Sequence, residues 1–418
     1  MSESAALFHK LKTPKLFIFL DQMIVSGSNF AISVLLARSL GLDNFGQYSL
    51  LWLVVLFSSS IQSAMIISPI LTFVGKKNLT IIDQYLSVMM VLQIALAVLT
   101  ALVVFLFFEF IPLFNKDWEI GDLALYASLF IMSFLIQDFY RRVLIVKNRY
   151  IQLIMVDLVA YIGSLLYIAF ANPNDLKFIF SVLFVFYCLS FILAQFGIKR
   201  TSTSWKYKVL IFKKNWHFSQ WLLYSAILQW GSGNAYTLAL GVYLGNWAIG
   251  VIRILQNLMG IFHIVFIALE NILPTTFAQQ YKSSGLTGMM RIFKQQIQYA
   301  AIFFLLFGLV IYFQAGHIIE FIYGSEYQAY ANLLIWYVVI YFFIYLSMLQ
   351  RYILRATEKT KVIFISYIAT AAFGLSTSQY FVSNYEFKGA IIGMLILQVI
   401  IVAIFYVTIK QKEQMKSS

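Results

Sequence analysis

Residues 84–108 read QYLSVMMVLQIALAVLTALVVFLFF, twenty-five positions without one charged side chain. An α-helix rises about 1.5 Å per residue, so this stretch reaches farther than the ~30 Å hydrocarbon core of a bilayer. Its apolar residues run continuously instead of alternating, which argues for a helix over a barrel strand, and a helix satisfies its own backbone hydrogen bonds in lipid. Working outward, eleven more stretches have the same character. The twelve expected spans lie near 16–37, 47–74, 84–108, 121–140, 150–170, 178–196, 218–244, 249–273, 296–314, 329–349, 362–383 and 388–409. The 418-residue chain is 61% hydrophobic and only 11% charged, less than half the charge that a soluble domain spends on its surface. These features together indicate an all-α, polytopic membrane protein.

The distribution of charge gives orientation independently of hydropathy. Lys and Arg collect in cytoplasmic loops. With the N-terminus inside, twenty-five of the 30 basic residues fall in inside segments, among them Lys10, Lys12, Lys15, Arg141, Arg142, Lys206, Lys208, Lys213 and Lys214. Only Arg38, Lys116, Lys177 and Lys388 fall outside, and Arg253 falls within a span. Both termini are therefore expected in the cytoplasm. The net charge of +13 is explained by topology, and no nucleic-acid partner is implied. The first span comes after three lysines, has no small-residue cleavage site beyond it, and reads as an uncleaved anchor. A single cysteine, Cys188, excludes a disulfide framework and a thiolate metal site; no cofactor or metal is expected.

An internal repeat divides the chain. Leu40-Gly41-Leu42-Asp43-Asn44-Phe45-Gly46 lies after the first span and Leu244-Gly245-Asn246-Trp247-Ala248-Ile249-Gly250 after the seventh, both LG-x4-G. The same offset brings Pro69 and Phe73 close to the positions of Pro274 and Phe277. Two six-helix bundles are expected, 1–200 and 218–418, joined by a basic linker at 201–217 and related by an axis along the membrane normal, with a central cavity as the transport path. The loop glycines suit tight turns because Gly accepts positive φ. Pro69 and Pro274 are expected to kink or end their helices, and Gly231-Ser232-Gly233 to loosen the seventh span or pack closely there.

Polar residues within spans mark candidate sites, since a charge at the bilayer centre costs at least about 2.5–3.5 kcal/mol. In the eighth span Arg253, Gln256, Asn257, Gly260, His263, Glu270 and Asn271 share one arc. That face either packs against polar neighbours or lines water. Gln22, Ser26, Asn29 and Ser33 form a stripe on the first span beside Asp21, and Ser225, Gln229, Ser232, Tyr236 and Tyr243 form another on the seventh. Together the three spans are expected to wall one hydrophilic cavity. Arg253, Gln256, Asn257, His263, Gln229, Asn29 and Gln22 are the candidate substrate contacts, with Arg253 suited to grip a phosphate bidentately. Asp21, Asp157 and Glu270 are candidates for coupling to H+ or Na+, against the plainer reading that intramembrane acids pair helix to helix. Asp138 is expected to pair with Arg141 or Arg142. The tryptophans at span ends, such as Trp52, Trp118, Trp205, Trp216, Trp221 and Trp336, read as interfacial belts. No set of catalytic groups is visible; Asp117, Glu119 and Asp122 in the longest external loop lack a DxD pair or a histidine cluster and read as solvated.

The stretch Leu35-Leu36-Ala37-Arg38-Ser39-Leu40-Gly41-Leu42-Asp43-Asn44-Phe45-Gly46-Gln47-Tyr48 resembles the first-loop signature of polysaccharide-transport flippases of the multidrug/oligosaccharidyl-lipid/polysaccharide exporter superfamily. Phe321-Ile322-Tyr323-Gly324-Ser325-Glu326-Tyr327 and Lys388-Gly389-Ala390-Ile391-Ile392-Gly393 resemble the same family. The resemblance implies two six-helix bundles and export of an undecaprenyl-diphosphate-linked oligosaccharide, an O-antigen or capsule unit, across the bacterial inner membrane by alternating access. It further implies pathway partners such as a glycan polymerase or chain-length regulator. A multidrug antiporter of the same superfamily and a membrane-embedded glycan polymerase are the alternatives.

Overall fold

The computed structural model describes residues 14–74, 79–110, 121–198 and 201–417. Those residues are almost entirely helical and include no strand. Twelve segments succeed one another: α1 (14–40), α2 (42–74), α3 (Leu79–Phe110), α4 (Ala124–Val146), α5 (Tyr150–Ala171), α6 (Leu176–Gln195), α7 (Trp205–Leu244), α8 (246–284), α9 (286–323), α10 (Leu334–Ala356), α11 (361–385) and α12 (387–417). Each covers one expected span. Basic residues at 1–13, 76, 77, 116, 199 and 200, and the acids Asp117 and Glu119, lie outside the described residues.

The links are shorter than the hydropathy minima suggest. A single residue, Gly41 at φ 72° and ψ 177°, separates α1 from α2, and Gly245 at φ 100° and ψ 172° separates α7 from α8. This backbone region is open essentially to glycine alone. The repeat seen in the sequence is thus a repeat of backbone conformation, 204 residues apart. The second glycine of each motif, Gly46 or Gly250, is instead helical and buried, a packing position.

Distortions fall away from the expected hinge. α7 runs unbroken through Gly231-Ser232-Gly233. Near the end of α2, π-helical turns at Ser63–Ile67 bring the chain to Pro69, and a second π turn occupies Leu158–Gly163 in α5. Each begins directly after a fully buried polar residue, Gln62 or Asp157. The extra residue of a π turn rotates the helix beyond it relative to the helix before it, so the polar side chain is aimed inward without exposing its neighbours. In α8 the break lies at Met259, while Pro274 is carried inside continuous helix.

The chain divides into two compact units, one ending at Ile227 and the other beginning at Leu228. In the first, α4 packs between α3 and α6, and α5 against α1 and α6. Gln62, Gln93 and the Leu135 carbonyl tie α2, α3 and α4 together, with Gln62 Nε2 donating to Leu135 O at 2.6 Å and to Gln93 Oε1 at 3.1 Å. The basic stretch 205–217 is helical, continuous with the seventh span, and packs within this unit. In the second, α10 packs against α9 and against the α11–α12 pair, around an aromatic core in which Phe262 stacks on Phe304 at 5.1 Å. Eight stretches of the described residues are long and apolar enough to cross a membrane. α7 is not among them, because Gly, Ser, Gln and Asn dilute its hydropathy.

Candidate functional site

In the first unit the sequence places an arginine near the C-terminal end of α4, and the fold converges three carboxylates on it. Arg141 Nη2 lies 3.0 Å from Asp21 of α1, Nη1 lies 3.2 Å from Asp138 one turn earlier, and Nε lies 2.8 Å from Oδ1 and 2.9 Å from Oδ2 of Asp157 in α5. Arg142 adds a second contact to Asp138 at 3.4 Å. Asp157 is wholly buried and Arg141 is 5% exposed. Gln137 also donates to Asp157, at 3.1 Å, and the Tyr161 ring centroid lies 5.6 Å beneath the guanidinium. The carboxyls of Asp21 and Asp157 lie within hydrogen-bonding reach of each other. Asp21 Oδ1 and Gln137 Oε1 are buried and receive no hydrogen bond. The pairing of Asp138 with Arg141 and Arg142 agrees with the sequence reading. Hydropathy alone misses Arg141 as the hub, because it ends the fourth span at residue 140 and leaves Arg141 among the loop charges.

The second unit presents the other candidates. Arg253 and Asn257, one helical turn apart on α8, both face the Tyr323 hydroxyl at the end of α9, and Gln256 faces Tyr337 of α10. Both tyrosines are buried. Part of the polar arc of α8 therefore meets polar groups of neighbouring helices, while Arg253 and Gln256 stay half-exposed. Glu270 is exposed and lies near Tyr352, itself near Arg351 and Arg355. The side chains of His263 and Asn271 lie outside the described residues. Gln229 is exposed on α7, and Tyr236 of the same helix hydrogen-bonds Thr377 of α11 at 2.8 Å.

On α1, Gln22 is exposed and donates to Ser26 at 2.9 Å, and Asn29 is half-buried. Asp21, the neighbour of Gln22, turns inward and is 3% exposed. One helix thus divides its polar residues between an acidic interior contact and an open amide stripe. Asp21 and Asp157 are brought together; Glu270 is in the other unit.

Solved structures with this fold are transporters. An inward-facing multidrug resistance MATE family transporter of the MOP superfamily matches with a TM-score of 0.71 at 12% identity, over 96% of this chain and 99% of that one. The lipid II flippase MurJ in an inward closed conformation matches with a TM-score of 0.68 at 15% identity, over 95% of this chain and 87% of that one. A MOP superfamily transporter from Pyrococcus furiosus matches with a TM-score of 0.63 at 12% identity, over 96% of each chain. No curated protein sequence matches significantly. The fold is therefore the two-lobed, twelve-helix fold of MOP superfamily transporters, and the chain is a multi-pass membrane protein. Residues 35–332 match the family described as polysaccharide biosynthesis protein, and with that match over most of its length this chain belongs to the polysaccharide biosynthesis protein family.

Proposed function

We propose that this protein is a flippase that exports an undecaprenyl-diphosphate-linked oligosaccharide, an O-antigen or capsule repeat unit, from the inner to the outer leaflet of the bacterial inner membrane by alternating access. Both termini are cytoplasmic in this reading. The observation that carries it is the coincidence of a polysaccharide-biosynthesis family with a transporter fold whose α7 and α8 carry polar side chains that are exposed or half-exposed, Gln229, Arg253 and Gln256 among them. A lipid-linked glycan needs such faces for its sugars, while its tail stays in the bilayer. The likeness to a lipid II flippase supports a lipid-linked cargo.

In this reading Arg253 contacts the diphosphate, and Gln256, Asn257, His263, Gln229, Asn29 and Gln22 contact the sugars. Guanidinium and phosphate pair bidentately, which suits one arginine held at the edge of a hydrated path. Asp21 and Asp157 supply ion coupling. Two ionised carboxyls in mutual contact repel, and Arg141 neutralises only one of them; a shared proton, or Na+, relieves the other. Glu270 is a further candidate for that role. A cation antiporter is the second reading, favoured by the same acidic pair.

Deleting the gene in a strain that makes surface glycan tests the proposal. The undecaprenyl-diphosphate-linked repeat unit should accumulate, unpolymerised, on the cytoplasmic leaflet and surface glycan should vanish. Accumulation of single units on the periplasmic side would mean a polymerase instead, and unchanged glycan with lost cation-drug resistance would mean an antiporter.

A further inference from the structure

A second site lies in the first unit, away from both polar clusters. α7 begins with WKYKVLIFKKNWHFSQW at 205–221, which carries four lysines and no acid. Ile211, Asn215 and Ser219 turn inward, while Trp205, Phe212 and Trp216 are 76%, 48% and 41% exposed. The inward stripe is fixed by named contacts: Tyr85 donates to Asn215 Oδ1 at 3.1 Å, Asn215 donates to Met89 Sδ, and Ser219 donates to Met65 O at 3.4 Å. Lys214 covers the Phe73 ring at 5.0 Å.

Beside this stripe is an almost wholly apolar cavity of about 220 Å³ walled by Met65 of α2, Leu92, Ala95 and Leu99 of α3, and Phe212 and Trp216 of α7. Ala95 and Leu99 are exposed, so the cavity opens onto the lipid-facing side of α3. Lys208, Phe212, Asn215 and Ser219 are spaced at i, i+4, i+7 and i+11, one face of a helix. The lysine is therefore aligned with the cavity and lies at its basic end, one turn before Phe212. A chain seated among Phe212, Leu92 and Leu99 places its polar end at Lys208, with Trp205 at headgroup depth.

We infer that this cavity holds one acyl chain of an anionic diacyl phospholipid whose phosphate is bound by Lys208, in the leaflet on the basic side of the membrane. The charge selects the lipid: a basic helix without acids favours anionic headgroups near the surface. The cavity makes it a site and not only an attractive surface.

Native mass spectrometry of the delipidated full chain, with phosphatidylglycerol or phosphatidylcholine added at equal mole ratio, tests the inference. The protein should retain phosphatidylglycerol at least about fivefold over phosphatidylcholine, a difference that corresponds to about 1 kcal/mol. Lys208→Gln and Ala95→Phe, which fills the cavity, should each abolish that preference. Lys206→Gln, roughly 160° away on the helix at about 100° per residue, should not. Equal retention of the two lipids, an effect of Lys206→Gln as large as that of Lys208→Gln, or an Ala95→Phe protein of unchanged melting temperature and unchanged retention would each overturn it.

Discussion

Arg141 of α4 holds Asp21 of α1 at 3.0 Å, across 120 residues of chain, in a pocket where both side chains are about 95% buried. The same guanidinium holds Asp157 and Asp138, so one side chain fastens α1 and α5 to α4. Removing it should be costly. Arg141→Ala leaves three acids with one half-exposed arginine, and breaking a buried pair from one side costs about 3–5 kcal/mol. Thermal unfolding of the purified protein should show Arg141→Ala as strongly destabilised, and the double variant Arg141→Met, Asp157→Asn as recovering much of the loss. Equal stability of Arg141→Ala and wild type would remove the cluster from the fold's framework.

Asp21→Asn tests the coupling role. The amide keeps the shape and cannot release a proton, and it relieves the repulsion from Asp157. The protein should fold as well as wild type or better, while transport should lose its dependence on an imposed proton or sodium gradient. Transport that still tracks the gradient in both Asp21→Asn and Asp157→Asn would assign coupling elsewhere, with Glu270 the next candidate.

Arg253 is predicted to act on cargo more than on stability. Arg253→Ala should lower glycan export at least tenfold, about 1.4 kcal/mol or more. Arg253→Lys, which keeps the charge but not the paired donors, should fall between. Surface glycan per unit of membrane-inserted protein is the measurement. Full export by a folded, abundant Arg253→Ala protein would exclude it as the diphosphate contact.

The two link glycines should behave alike because their backbones do. Gly41→Ala and Gly245→Ala each force a Cβ into a region that costs about 1–3 kcal/mol. Both should lower the melting temperature, whereas Gly231→Ala, in open space within continuous helix, should be neutral or mildly stabilising.

Most of the architecture is legible in the sequence because bilayer thickness sets span length, which is readable locally. The repeat is legible because the link conformation demands glycine at Gly41 and at Gly245. The sites are less so. Asp21 and Asp157 read as isolated acids, since nothing local shows that α1, α4 and α5 meet at Arg141, and the helix continuing to Val146 takes that residue from the loop into the pocket. The polar arc of α8 is legible from its period, but its partners Tyr323 and Tyr337 come from spans that look apolar. The π turns after Gln62 and Asp157 have no local signature of the kind proline or glycine provides.

The flippase reading is tested most directly by reconstitution. Purified protein in liposomes loaded on one leaflet with an undecaprenyl-diphosphate-linked oligosaccharide should bring the glycan to the opposite leaflet, seen by accessibility to a membrane-impermeant lectin or glycosidase, with glycan length unchanged and the rate cut at least tenfold in Arg253→Ala. A rate no greater than that of protein-free liposomes, or glycans longer than those supplied, would contradict it.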